Sequence, residues 1–338
     1  MNISSLSKYA LAAVASASIL AACSGGSQSG VGATGTMPSV KGGVANFVAH
    51  NGIVQAVGTH GIVNPDKKSK GGYAYVTDYG ANVVYVEGYN SKTGAFGSEA
   101  GSTSSNISGP QGACASKKGE VYIANTNDSN ILGYKAPSTT SNATLNDAGE
   151  FPAGCSVDKK GDVAVSNICS APSCGSGNVA VFKGGKGSPT SITCSNLSRY
   201  YFIAYDKSSN IWVDGEDPSG VTALCEIKAG ASSGTAISLS VTPEFPGGVT
   251  TSGKDIGVLD QDTDTIDEYT VSGSTGTEVG TVSLSGASDP VQDFLAKKFV
   301  LAANAGEGSA CSWKYPAGGS DVSCATGFSE PIGVAATK

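Results

Sequence analysis

Charged residues are scarce in this sequence. Asp, Glu, Lys and Arg make up 14% of the 338 residues, and Arg199 is the only arginine, whereas an average soluble domain is about 25% charged. Helical bundles, coiled coils and nucleic-acid-binding domains need many more charged side chains, so these classes are excluded. The net charge of −7 also disfavours nucleic acid and anionic lipid surfaces as partners.

Catalytic signatures are also missing. The sequence contains no H-E-x-x-H motif, and its two histidines, His50 and His60, lie before the repeated part of the chain. A histidine base or ligand is therefore not available to the repeats. We assign no catalytic residue, predict no cofactor, and expect a protein that binds without turnover.

The first 22 residues have the composition of a targeting segment. Lys8 is their only charged side chain, and a short apolar run ends in Leu20-Ala21-Ala22-Cys23; a membrane-spanning helix would need about 20 apolar residues. This ending resembles the lipobox of bacterial lipoproteins. The resemblance implies cleavage before Cys23, acylation of that cysteine and attachment to a membrane. Ser24, in place of Asp, favours the outer membrane by the same resemblance.

Glycine is abundant, with 47 residues, about twice its ordinary usage. Residues 23–43 are rich in Gly and Ser and lack apolar periodicity, which is typical of a flexible tether. Residues 44–70 contain short apolar runs whose structure the pattern leaves open.

An ordinary secretory signal with a coincidental cysteine remains the alternative to a lipoprotein signal.

From residue 71 to residue 338 the chain repeats. A segment that begins at Gly109, GPQGACASKKGEVYIANTNDSNILGYK, aligns with the segment from Phe151 at an offset of 42 residues, and weaker copies follow near Asp206, Gly253 and Ala296. Each copy has a polar turn between two short strands. A period of roughly 40–48 residues that holds about four strands is typical of a β-propeller blade.

The copy at Gly109 resembles an NHL repeat. The two ends of the chain complete one blade, because residues 72–86 supply second and third strands and residues 330–336 supply a first strand. The sequence therefore predicts an all-β, six-bladed propeller that the C-terminal strand closes by pairing into the first blade. A seven-bladed ring that uses residues 44–70 is the alternative.

Eight cysteines remain when Cys23 is set aside, and an even number in an exported protein predicts disulfides. Cys169 and Cys174 flank one loop, which we expect them to staple; a metal site is the alternative. We expect the other three pairs to form disulfides too. Cys311–Cys324 would join consecutive strands, and Cys114–Cys155 and Cys194–Cys225 would join neighbouring blades.

The end of the second strand carries Asp or Asn in most copies. Around these positions we predict a ligand rim, to which Ca²⁺ could bind through carboxylate and amide oxygens; its candidate residues are Asn125, Asp128, Asp214, Asp217, Asp260 and Asp262. The alternative is that these side chains only hold turns through backbone N–H groups. Turns that contain Lys and Gly, such as Lys117-Lys118-Gly119 and Lys159-Lys160-Gly161, lie at the opposite end of the strands. These Lys-Gly turns are short and similar from copy to copy, as in plain connections between strands.

The most consistent interpretation is a monomeric, membrane-anchored extracytoplasmic propeller that binds or scaffolds an envelope protein or a glycan. The alternative is a Ca²⁺-dependent hydrolase that resembles the lactonases of the senescence marker protein group, since such an enzyme needs no histidine. Fold alone does not choose between them.

Overall fold

The computed structural model describes residues 71–337. Within that range the regular structure consists of 25 β-strands and two short 3₁₀ helices, Thr126–Asp128 and Lys183–Gly185. The predicted leader, Cys23, the tether at 23–43 and the segment 44–70 with both histidines lie outside the described residues. The seven-bladed alternative therefore stays untested.

The first sheet combines the two ends of the described chain. Its strands are β1 (Gly72–Asp78), β2 (Val83–Asn90), β3 (Ala95–Thr103) and, on the far side of β1, β25 (Pro331–Ala336). Strands β1 and β25 pair antiparallel, from Ala74 with Ala336 to Asp78 with Pro331. This is the pairing that the sequence predicts for the C-terminal strand, and it leaves β1 without a free edge.

Two further sheets are antiparallel meanders of four strands each. One contains β4 (Pro110–Ala115), β5 (Glu120–Asn125), β6 (Asn130–Lys135) and β7 (Ser141–Asn146). The next contains β8 (Glu150–Val157), β9 (Val163–Ser170), β10 (Asn178–Phe182) and β11 (Thr190–Ile192).

A nine-stranded sheet follows, in which two antiparallel meanders share an edge. The first is β12 (Arg199–Tyr205), β13 (Ile211–Glu216), β14 (Thr222–Ile227) and β15 (Thr235–Leu239), and the second is β16 (Pro246–Ser252), β17 (Asp255–Asp260), β18 (Thr265–Ser272) and β19 (Thr275–Ser285). Strands β15 and β19 pair in parallel over two residue pairs. The short strand β23 (Gly319–Ser320) adds to the same edge at β19.

The last sheet consists of β20 (Pro290–Ala296), β21 (Phe299–Asn304), β22 (Ser309–Lys314) and β24 (Ser323–Thr326). The first strands of the successive meanders contact one another in a closed cycle, which runs β4, β8, β12, β16, β20, β25 and back to β4. The meanders therefore radiate from a ring of first strands.

Strand direction alternates within each meander, which gives the ring two faces. Turns between second and third strands lie on one face, which we call the Asx face because the predicted Asp and Asn positions precede these turns. Turns between first and second strands, and between third and fourth strands, lie on the opposite face, which we call the lysine face for the residues described below.

Apolar side chains fill the spaces between the sheets. The first strands are almost wholly buried, and the largest fully buried side chain is that of Trp313. Each fully buried large apolar side chain stabilises a fold by about 1.5–3 kcal/mol. The aromatic residues therefore serve packing, with Tyr75, Tyr89, Tyr200, Tyr201 and Tyr269 also fully buried.

The eight cysteines of the described residues form four disulfides. Two of them join neighbouring meanders, Cys114–Cys155 between β4 and β8 and Cys194–Cys225 between the β11–β12 connection and β14. Cys169–Cys174 closes the β9–β10 loop, and Cys311–Cys324 links β22 to β24. These are the four pairs that the sequence predicts, and four disulfides indicate an oxidising or extracellular environment.

Candidate functional site

The Asp and Asn residues at the ends of the second strands are buried. Their exposed fraction is 3% at Asp260 and 0% at the other five, which are Asp78, Asn125, Asn167, Asp214 and Asn304. Buried polar groups need hydrogen-bond partners. The partners therefore decide what these side chains do.

Asp78 and Asp260 hold the segment that leads into the first strand of their own meander. The carboxylate of Asp78 accepts hydrogen bonds from the backbone N–H groups of Ser329 (2.7 Å) and Glu330 (2.9 Å), directly before β25. The carboxylate of Asp260 accepts from the N–H groups of Glu244 (2.9 Å) and Phe245 (3.2 Å), directly before β16. Backbone donors thus occupy these oxygens.

Asn125 and Asn167 make equivalent connections. Asn125 accepts from the N–H of Ser108 (2.6 Å), ahead of β4, and Asn167 Nδ2 donates to Asp147 (3.0 Å), ahead of β8. The recurrence of Asx at this position thus has a structural cause, as the turn-holding alternative requires. In that alternative the side chains hold their own turns. Here they bind the segment that leads into the first strand of the meander.

Three residues of the predicted rim are more accessible. Asp128 is exposed, and Asp217 and Asp262 are half-buried. Asp217 Oδ1 accepts from the N–H groups of Ser219 (2.7 Å) and Val221 (3.0 Å) within its own turn. Among residues 71–337, no group of three or more His, Cys, Asp or Glu side chains is arranged to hold a metal ion. The carboxylates of the predicted rim are therefore dispersed over separate turns.

The lysine face carries a concave cavity of about 700 Å³. We call it the basin; the turns of several meanders converge on it, and its lining includes Ser91, Lys117, Lys118, Lys159, Lys207, Phe294 and Lys297. Concave sites of about 300–1,000 Å³ are typical ligand sites in proteins. A cavity of ligand-binding size thus lies where the sequence predicted plain connections.

All lysines of residues 71–337 are exposed and lie on this same face, in or next to its turns. They are Lys92, Lys117, Lys118, Lys135, Lys159, Lys160, Lys183, Lys186, Lys207, Lys228, Lys254, Lys297, Lys298 and Lys314. Lys183 pairs with Asp162 at 3.0 Å, which is the one ion pair that joins two described residues. The other lysine charges are not neutralised by a described carboxylate in contact.

Most of the described carboxylates lie on the Asx face, together with Arg199. Fewer lie on the lysine face, and of these Asp158, Asp206 and Glu120 line the basin. The negative net charge is thus distributed unevenly, with the positive charges confined to one face.

A smaller cavity of about 220 Å³ continues inwards from the basin. The two share lining residues on the first strands, including Val157, Thr251 and Phe294. Gln292 lines the inner cavity and pairs with Ala113, to which its Nε2 donates (2.8 Å) and from which its Oε1 accepts (2.8 Å). This pair ties β20 to β4 across β25.

Asp293 lines the inner cavity and is buried without a partner from another residue. Neither of its carboxyl oxygens accepts a hydrogen bond from another residue, and burial raises its pKa to about 7. Burial raises the pKa of Asp214 as well, with a smaller contribution from Asp293, against the effect of a hydrogen bond from the Phe202 N–H. A Cβ at Gly248 would overlap Asp293 Oδ1 and the Asp293 backbone nitrogen, so only glycine fits there.

No family model matches this chain, and no curated protein matches it by sequence. Solved structures do match. A chain of a nidogen/laminin complex, a YWTD β-propeller, has a TM-score of 0.62 at 10% identity, over 79% of this chain and 99% of that one. This protein is a β-propeller. A protein of unknown function from Bacteroides caccae has a TM-score of 0.57 at 14% identity, again over 79% of this chain and 99% of that one.

In the propeller, the first strands surround a central channel, and the basin is its opening on the lysine face. Gln292 and Ala113 both line the inner cavity of this channel. The basin could not be recognised from the sequence, because the Lys-Gly turns around it are short and similar, as in plain connections. Their recurrence, at Lys117-Lys118-Gly119 and again at Lys159-Lys160-Gly161, was the signal that would have placed lysines around the channel opening.

Proposed function

We propose that this protein is a six-bladed, lipid-anchored extracytoplasmic propeller that binds an anionic envelope component in the basin and turns nothing over. The blade count is supported by the closed cycle of first strands, in which each antiparallel meander is one blade and β15 and β19 touch at the outer edges of two blades. The proposal also includes that the repeats are NHL-like and that Leu20-Ala21-Ala22-Cys23 is a lipobox.

The observation that carries the proposal is the basin itself. It is a cavity of about 700 Å³ whose lining includes Lys117, Lys118, Lys159, Lys207 and Lys297. Ammonium groups bind phosphate, sulfate and carboxylate groups, and binding is stronger where several surround one concave surface. A ligand that bears two or more such groups fits this arrangement.

The envelope location is supported by the disulfides and by the predicted lipidation of Cys23. Four disulfides persist in an oxidising compartment. Residues 71–337 contain no helix that could span a membrane. An acyl anchor would hold the propeller at a membrane, and we propose that it acts there as a monomer.

Inorganic tripolyphosphate is a suitable probe for the basin. We expect it to raise the melting temperature of the wild-type protein by several degrees through ligand linkage. The double variant Lys117→Gln/Lys159→Gln should lose most of this increase. The matched control Lys186→Gln/Lys254→Gln removes two lysines of the same face that do not line the basin, and it should keep the increase. Equal losses in both variants would place binding outside the basin.

The acidic rim is a second candidate, for docking a basic surface of an envelope protein. It is favoured by the exposure of Asp128 and by the loop that Cys169–Cys174 closes on the same face. Pull-down with wild-type protein and with Asp128→Asn/Asp217→Asn tests it; a partner that binds both equally well does not use the rim.

Turnover would contradict the proposal. The alternative, a Ca²⁺-dependent lactonase, predicts hydrolysis of γ- and δ-lactones that chelation abolishes and that requires a carboxyl group of the channel. Wild-type protein and Asp293→Asn should both be inactive on such a panel. If the wild-type protein hydrolyses a lactone and Asp293→Asn does not, the protein is an enzyme instead.

A further inference from the structure

We infer that the lysine face docks onto a membrane surface rich in phosphate-bearing anionic lipid headgroups, with the basin towards the headgroups and the Asx face away from them. This inference rests on the proposed function, because it names the lipid headgroup as the anionic component that the basin meets.

The first argument is the distribution of charge. The lysines of the described chain are all exposed on this one face, around the ends of every meander, and they are not confined to the lining of the basin. A small ligand would need only the lysines of the basin. An extended planar anionic surface, in contrast, would contact lysines across the whole face.

The second argument is the position at which the upstream chain joins the propeller. Strand β1 is the second strand of its meander and runs from the lysine face to the Asx face, so residue 70 joins Gly71 on the lysine face. The predicted lipidation site, Cys23, lies upstream of this point. An acyl anchor on Cys23 would therefore connect to the propeller through the lysine face.

The third argument is the opposite face. It carries most of the described carboxylates, including the exposed Asp128, Glu244 and Glu307. An anionic surface repels that face and attracts the lysines, so the two effects select one orientation of the anchored propeller. The net charge of the chain is negative, which disfavours binding to such a surface. Over a contact of a few ångströms, however, the charge of the contacting face determines whether the protein binds.

Vesicle flotation tests this inference on the full chain with Cys23→Ser, which removes the site of acylation. We expect the protein to float with phosphatidylcholine vesicles that contain 30% phosphatidylglycerol and not with pure phosphatidylcholine vesicles. Binding should weaken at least tenfold between 50 and 500 mM salt, because screening acts on exposed charges.

Matched variants separate the face from the total charge. A fourfold lysine-face variant should bind anionic vesicles at least tenfold more weakly; it contains Lys117→Gln, Lys118→Gln, Lys207→Gln and Lys297→Gln. A control with the same change of net charge on exposed positions of the Asx face should bind as the parent does; it contains Asn127→Asp, Ser219→Asp, Thr242→Asp and Thr263→Asp.

Three results would overturn the inference: equal flotation with neutral and anionic vesicles, equal weakening in the lysine-face variant and in the control, or binding to soluble polygalacturonate without flotation. Tripolyphosphate binding that survives alongside any of these would leave the proposed function intact. Loss of both tripolyphosphate and vesicle binding would reject the proposed function together with the inference.

Discussion

Gln292 and Ala113 form two hydrogen bonds with each other although they are 179 residues apart. The amide of Gln292 reaches over β25 and satisfies both the N–H and the C=O of Ala113, each at 2.8 Å. A Cβ at Gly333 of β25 would stand 2.7 Å from Gln292 Oε1, so the absence of a side chain there makes room for the contact. One side chain thus joins β20 to β4 across the intervening β25.

Replacing this amide should destabilise the propeller. Gln292→Ala leaves a buried N–H and a buried C=O without partners, and each such group costs about 1–3 kcal/mol, so we expect the free energy of unfolding in urea to fall by about 3 kcal/mol. Gln292→Glu is the matched control: once protonated its side chain can again donate to Ala113, so its loss should be smaller at pH 5 than at pH 8. A variant Gln292→Ala as stable as the wild type would show that the pair contributes nothing.

Closure of the ring depends on the segment before β25. Asp78→Ala removes the acceptor of the N–H groups of Ala81 (3.1 Å), Ser329 and Glu330, and we expect a loss of about 2–4 kcal/mol in urea and faster proteolysis near the C-terminus. Asp128→Ala, at an exposed position, should change little. Removal of residues 329–338 should be more severe, because it exposes β1 and one face of β4. A truncated chain that melts within about a degree of the full chain would contradict closure by β25.

The disulfides should contribute unequally. Cys114–Cys155 closes 41 residues and Cys169–Cys174 closes 5, and the loop-entropy relation gives about 4 and about 2 kcal/mol respectively. The double variants Cys114→Ser/Cys155→Ser and Cys169→Ser/Cys174→Ser, compared by urea denaturation, should follow this order. Peptide mapping of unreduced protein checks the pairs directly, and Cys114 joined to any cysteine other than Cys155 would contradict the register of β4 and β8.

Stability should fall as the pH rises from about 4 to about 7. Carboxyl groups of the unfolded chain ionise near pH 4, whereas burial raises the pKa of Asp293 to about 7. Between these values the folded protein retains a proton that the unfolded chain has lost, which lowers the free energy of unfolding by up to about 1.4 kcal/mol per pH unit. Above about pH 7 this contribution no longer changes.

Asp293→Asn removes this proton and isolates its effect. The variant should lose part of the pH dependence between pH 5 and pH 7 and should gain stability relative to the wild type at pH 8. Asp128→Asn, which removes one carboxylate at an exposed position, is the matched control for the change of charge. Urea denaturation at several pH values measures both, and an unchanged slope in Asp293→Asn would show that Asp293 ionises as it does in the unfolded chain.

Much of the fold could be predicted from the sequence because repeated local patterns carry it. The alignment of Lys117-Lys118-Gly119 with Lys159-Lys160-Gly161 sets equivalent turns and therefore the register of the strands between them. That register places Cys114 and Cys155 on facing strands, and the incomplete units at the two ends predict that β25 pairs with β1. Each inference needs only the two-residue period of a strand and the period of the repeat.

The candidate site could not be predicted in the same way. Asn125 and Asp260 have the residue types of ligands, and only their backbone partners, Ser108 and Phe245, show that they hold connections. Gln292 and Asp293 follow each other in sequence, yet one is fully paired and the other lacks partners from other residues. Partners that are distant in sequence determine burial and hydrogen bonding.

By itself the sequence determined the all-β class, the repeat, the cysteine pairs and the leader pattern, because these depend on composition, spacing and strand periodicity. Only the tertiary structure decided that every lysine of residues 71–337 lies on one face, that the channel opens as a basin among them, and that a buried carboxyl group lies beneath it. The physical reason is that net charge and residue type are sums over the chain, whereas a binding surface depends on which ends of strands the ring brings together.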